Sequence, residues 1–332
     1  MEKINITIDK EKYDFDKGIT LLEISKKLHK DKFPVLVAYV DNEIFSLDKK
    51  INNDCNVKFV NVLDPIGNRI YQKGLFFVLA YAFKELFGYN YYVKACHSID
   101  KAVKFRTNLY LDHDRINMIK SKMREIIDSD MPISKCLVSR KEAREYFLSI
   151  KDTSKADTFI YNTNHYVTLY KLGDLYDYFF CAMPVSTGVF KDFDIYLLDK
   201  GSFILQFPTI SDDGKIPEYV NREKIVKAFD ENYSLSKKLG IFNSADINMA
   251  VANGNISDII KLTETISSNN LLNLAREIYD KKDSIKIVLL AGPSSSAKTT
   301  TSRKLSMFLK SFGLNPKPLS VDDYFLSREE TP

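Results

Sequence analysis

"SIKIVLLAGPSSSAKTTTSRKL", residues 284 to 305, carries the strongest local pattern in the chain. The apolar run from Ser284 to Gly292 predicts a fully buried strand, Gly292 to Ala297 a tight turn, and Lys298 to Leu309 a helix. A strand, turn and helix in this order can cradle phosphates, because the turn's N–H groups and the helix N-terminus face one point. The spacing assigns Gly292, Pro293, Ser294, Ser295, Ser296, Ala297, Lys298, Thr299 and Thr300 to nucleotide binding. Lys298 would reach the β- and γ-phosphates as a point charge, and the Thr299 hydroxyl would complete the shell of a Mg²⁺ ion carried by the nucleotide. Ala297 stands where a glycine is usual. A left-handed alanine costs about 1–2 kcal/mol, a loss of about 5- to 30-fold if charged wholly to binding. A Ser/Thr-rich turn with no ligand is the alternative.

Beyond this loop, "NPKPLSVDDYF", Asn315 to Phe325, predicts a turn and a short second strand ending at Asp322 and Asp323. Ligands of open α/β sheets bind beyond the carboxyl ends of the strands, which would put both aspartates on the edge that carries the loop. An aspartate there can accept the proton of an attacking hydroxyl. Capping of a following helix is the competing role.

The rest of the composition bounds the class of protein. The chain has 332 residues, 45% hydrophobic and 28% charged, enough for two or three ordinary cores. A net charge of +4 neither demands nor excludes a nucleic acid. Cys55, Cys96, Cys136 and Cys181 lie far apart without a CxxC pair, which suits reduced thiols in the cytoplasm. The start, "MEKINITIDK", lacks the apolar core of a signal peptide, and "GLFFVLAYAF" at 74–83 is about half a membrane span. A cytoplasmic protein with no membrane partner is expected.

Outward from the loop, four regions are expected. Residues 1–64 read as a small α+β unit. "INITID" alternates like a half-buried strand, Thr20 and Glu23 have capping-box spacing, and Leu21, Ile24 and Leu28 form one apolar stripe. Residues 65–220 begin with a long helix, from about Ile70 to Phe87. They continue through helices near 114–128 and 140–150 into the strands "HYVTLYKL", "FDIYLLD" and "SFILQFP". Residues 221–283 read as a helical connector, and 284–332 as the incomplete start of an α/β phosphate-loop domain.

Three resemblances follow from these residues. The first region resembles the TGS domain, a ubiquitin-like β-grasp fold. "AGPSSSAKTT" with "LSVDDYFLSREETP" resembles the uridine kinase and phosphoribulokinase family. That resemblance implies ATP-dependent phosphorylation of a nucleoside, with Lys298 and Asp322 catalytic, and a chain that stops early in the kinase domain and is inactive alone. The middle region resembles the second additional domain of threonyl- and alanyl-tRNA synthetases, which hydrolyses mischarged tRNA. "LAYAFKELFG" matches its first helix and "CAMPVSTGVFKDFDI" its cysteine-bearing loop. Carried over residue by residue, the four metal-ligand positions of that domain fall on Lys73, Phe77, Cys181 and, roughly, Met183. One ligand of four survives, so no zinc site is expected. His97 and His113 lack paired ligand spacing and read as structural. The fold expectation is therefore a β-grasp unit, an α+β editing-like unit and the start of a P-loop kinase. The functional expectation is a uridine kinase-like enzyme using ATP and Mg²⁺. A non-catalytic nucleotide- or RNA-binding module derived from a synthetase editing domain is the alternative.

Overall fold

The computed structural model describes residues 2–28 and 32–325. The chain forms two compact units, Met1–Ala245 and Asp246–Pro332.

The first unit opens with β1 (Lys3–Ile8), β2 (Glu11–Asp16), α1 (Leu21–Leu28), β3 (Val37–Val40), β4 (Glu43–Phe45) and β5 (Cys55–Val60). The sheet order is β2-β1-β5-β3-β4, with β1 and β5 parallel and the other pairs antiparallel. Two hairpin turns, Asp9-Lys10 and Asp41-Asn42, have positive φ at both positions, the geometry that matches the twist of the flanking strands. The α1 capping box forms: the Thr20 N–H donates to the Glu23 carboxylate at 2.8 Å, and the Glu23 N–H donates to the Thr20 hydroxyl at 3.2 Å. Leu21 and Ile24 of this helix bury against Ile4, Ile6 and Ile8 of β1.

The main core is organised by α2 (Pro65–Phe87). Asp64 caps it by accepting from the N–H groups of Ile66 and Gly67, and Pro65 sits where no N–H is needed. The helix has apolar residues around much of its circumference because it is enclosed by several elements. After it come β6 (Val93–Ile99), β7 (Ala102–Thr107), α3 (His113–Asp128), β8 (Ile133–Ser139), α4 (Arg140–Ser149), α5 (Thr153–Thr158), β9 (Tyr166–Leu172), β10 (Leu175–Asp177), β11 (Asp194–Asp199) and β12 (Ser202–Gln206). Four strands pair in the order β11-β12-β7-β6, all antiparallel. Phe105 and Phe203 of this sheet stack at 5.5 Å, and Phe76 of α2 meets Phe105 edge-on at 5.0 Å. A smaller sheet, β10-β9-β8, has α4 and α5 on one face over Phe147, Phe159 and Leu169. The unit ends with α6 (Glu223–Lys238), and α7 (Ser244–Ala252) follows.

Strands β6, β7 and β8 and helix α5 are absent from the sequence-based expectation. "VKACHSI" and "ISKCLVS" lack a clean alternation because each is an edge strand with much of its length exposed.

The second unit contains α8 (Ile256–Asp280) and α9 (Lys298–Ser311). Ala275 and Ile278 of α8 pack on Leu305 and Leu309 of α9, and Lys304 donates to the Ser268 hydroxyl at 2.7 Å. The strand expected at 284–292 does not form, and neither does the one expected before Asp322. Residues 285–297 are irregular, with Leu289 90% exposed, and Val321–Tyr324 is a single 3₁₀ turn. A start of a P-loop kinase sheet is therefore a fold expectation the structure corrects. The physical reason is that an apolar run specifies burial, whereas a strand also needs a neighbour for its N–H and C=O groups. No described strand pairs with this run.

Candidate functional site

Lys73 and Phe77 lie one turn apart on α2, so they share a face. The 178–183 loop comes up beside them. It alternates: Phe179 packs inward on the Phe77 ring at 5.2 Å, Phe180 points out and is 99% exposed, Cys181 is half-buried, and Met183 is buried. Tyr170 of β9 anchors the loop by donating its hydroxyl to the Cys181 carbonyl at 3.0 Å. Burial pushes the Tyr170 hydroxyl up to about 12, with the Cys181 thiol adding to the effect. Burial also raises the Cys181 thiol, partly opposed by the charge of nearby Lys73.

The structure thus brings all four matched positions, Lys73, Phe77, Cys181 and Met183, to one place. The chemistry of that place is unlike a metal centre. Phe77 and Met183 are interior side chains of the main core, and Lys73 is a cation with no lone pair to offer. Among the described residues there is no group of three or more His, Cys, Asp or Glu that could hold a metal ion. His97 instead stacks on Phe229 at 4.0 Å, and His113 opens α3 after its Asp112 cap. These residues do not fit a zinc ion, and no metal-activated water is derived from them.

Two features around this place escaped the sequence reading. Phe180 is an exposed ring next to a half-buried one, and the "FF" of "YDYFFCAM" is the only local sign that one must face out. The outward part of the small sheet carries Lys135, Leu137 and Tyr166, all exposed, on the side where Tyr170 meets the loop. That face of the sheet is open, apolar and cationic, while the exposed Phe180 ring meets Tyr178 edge-on at 5.7 Å.

At the phosphate-loop residues the geometry is different. Ser295 and Ala297 have φ of 60° and 59°, both left-handed, and Ala297 begins α9 without a side-chain cap. The Lys298 ammonium turns back to the Pro293 carbonyl at 2.8 Å. Gly292 to Ser296, Thr299 and Thr300 are exposed or nearly so, as are Asp322 and Asp323. No helix among the described residues is long and apolar enough to cross a membrane.

No family model matches the chain. Among curated proteins it is similar to the threonine–tRNA ligase of Thermotoga maritima, 29% identical over 204 residues, which covers 58% of this chain and 30% of the relative. The threonine–tRNA ligase of Halorhodospira halophila is 30% identical over 190 residues, covering 54% of this chain and 29% of the relative. That of Finegoldia magna is 28% identical over 249 residues, covering 69% and 38%. Over about 58% of its length the chain is therefore threonyl-tRNA-synthetase-like, and it spans about 30% of the first of these relatives. The expectation of a uridine kinase-like enzyme is corrected on this finding. The similar proteins are ligases that act on tRNA, and the kinase assignment, with nucleoside as substrate, has no support among them.

Proposed function

We propose that this chain is an RNA-binding module derived from a threonyl-tRNA synthetase, with the region at 65–220 serving as a binding surface in place of a hydrolytic one. The observation that carries this reading is that Lys73, Phe77 and Met183 stand at the metal-ligand positions the resemblance implies, with Phe77 and Met183 packed into the main core. Phe77 and Met183 are core, Lys73 supplies positive charge, and Phe180 on the same loop as Cys181 and Met183 presents an exposed ring that touches Tyr178 edge-on. Such a combination suits an RNA strand: cations attract phosphates, and an exposed ring stacks on a base without choosing its identity. The domain division 1–64, 65–220, 221–283 and 284–332 belongs to this reading, with the first region as a TGS-like accessory.

The test is fluorescence anisotropy with a labelled tRNA acceptor-stem hairpin across a salt series. Binding is expected to weaken as salt rises. Phe180→Ala should lose about 1–3 kcal/mol of binding, the usual worth of one stacked base. No association at low salt sinks the reading, and unchanged affinity in Phe180→Ala removes the Phe180 surface from it. Elemental analysis adds a second check: stoichiometric zinc that disappears in Cys181→Ala would restore the hydrolytic alternative.

A further inference from the structure

The four-stranded sheet has a second face, turned away from α2. In register, Lys94 and Arg106 are cross-strand partners there, and so are His97 and Lys104. Placing like charges opposite each other, as Lys94 and Arg106 are, destabilises a sheet. This face was therefore not assembled for sheet stability alone. It is covered by α6, which contributes no buried residue of its own and begins without a side-chain cap.

Contact is made through charge and ring faces and through a small apolar cluster of Ile99, Ala102 and Ile204, on which Tyr219 and Val226 pack. The Asp230 carboxylate accepts from the Lys104 ammonium at 2.9 and 3.0 Å and from the Arg106 guanidinium. Phe229 lies flat on His97, and Arg106 sits 4.0 Å from the centroid of the Tyr233 ring. Lys104 is left 1% exposed, with Asp230 as its only ion-pair partner among the described residues. The segment from Pro217 through α6 also leaves polar atoms unsatisfied beneath it. Of four buried side-chain polar atoms without a partner among the described residues, three lie at this contact: His97 Nε2, Gln206 Oε1 and Tyr219 Oη. A permanent interior rarely tolerates such a concentration.

We infer that the β6–β7 face is a second RNA-binding surface, which α6 occludes by placing the Asp230 carboxylate where a backbone phosphate would sit between Lys104 and Arg106. A carboxylate and a phosphodiester present the same pair of anionic oxygens to this fork of donors. When α6 leaves, Lys94, Lys104 and Arg106 form a cationic row on two adjacent strands, with His97 among them and Tyr92 at its edge. The inference rests on the RNA-binding reading of the chain, but it uses none of the residues of the Phe180 surface.

The experiment uses the full chain, a labelled RNA hairpin at low salt, and amide hydrogen exchange of residues 223–238. Asp230→Asn is expected to speed exchange across α6 and to tighten RNA binding about ten-fold. Adding Lys104→Met and Arg106→Met to that variant should abolish the gain. Should Asp230→Asn fail to fold, the double variant Phe229→Ala and Tyr233→Ala keeps the ion pair, removes the ring contacts and should also tighten binding. Faster exchange without tighter binding overturns the site, and unchanged exchange overturns the latch. Equal tightening toward polyglutamate overturns the assignment to RNA. Phe180→Ala separates the two readings. Loss of wild-type binding with the Asp230→Asn gain intact supports both. No effect of Phe180→Ala, with the gain intact, leaves only the β6–β7 face standing.

Discussion

Around Phe77 the chain closes on itself from several directions. Helix α2 carries the ring, Phe179 covers it from the following loop, and Met183 and Tyr170 join the same buried cluster. Around Leu289 nothing of the kind occurs, although Ile287, Val288, Leu289 and Leu290 make an equally apolar run. The two stretches look alike on a hydropathy plot and differ in what pairs with them. A helix satisfies its own backbone and needs only a partner for its side chains. A strand needs another backbone, and residues 285–291 have none among the described residues.

That contrast can be broken by substitution. The largest effect is expected at Phe77→Ala, which removes a fully buried ring and should cost about 3–5 kcal/mol of stability by urea denaturation. A loss below about 1 kcal/mol would mean the ring does not organise the core. Gly74→Ala comes next. A Cβ there would lie 1.9 Å from the Phe190 ring, which is itself buried, so overpacking should cost about 1–3 kcal/mol. Trimming Phe190 to leucine in the same variant should recover part of the loss, and no recovery would place the strain elsewhere.

A smaller effect is expected on the acid side, at His97. Burial holds its imidazole below the ordinary 6.5, reinforced by Lys104 and Arg106 and opposed by Asp230. The unfolded chain therefore takes up a proton as pH falls through about 6.5 while the folded chain does not. The stability present above that pH is lost progressively below it. His97→Phe should flatten that limb of the stability–pH curve; an unchanged slope would assign it to other groups. The smallest effect belongs to Leu289→Ala, expected within about 0.5 kcal/mol because the side chain is already exposed. A large loss there would show that the run is buried in solution and would erase the contrast with Phe77.

Much of the first unit was legible from local pattern. The alternation of "INITID" and the Thr20–Glu23 spacing each report a constraint acting within a few residues, and they appear as a strand and a capping box. The left-handed backbone at Ala297 was legible too, at φ 59°. The reading of the loop at 292–299 as the start of a kinase sheet was not supported, because shape at one turn does not report which strands stand beside it.

The sequence by itself determined where α1 caps, and that Lys73, Phe77 and Met183 stand at three of the four ligand positions. Only the tertiary structure decided that Lys73, Phe77, Cys181 and Met183 meet at one place, although about a hundred residues separate the helix from the loop. It also decided that Asp230 closes on Lys104 and Arg106, a pairing across 126 and 124 positions. Local preferences act through neighbouring φ/ψ angles and side-chain spacing, so they can be read along the chain. Long-range pairings depend on loop closure and on competition among many partners of similar chemistry, and the composition of either segment alone does not encode the winner.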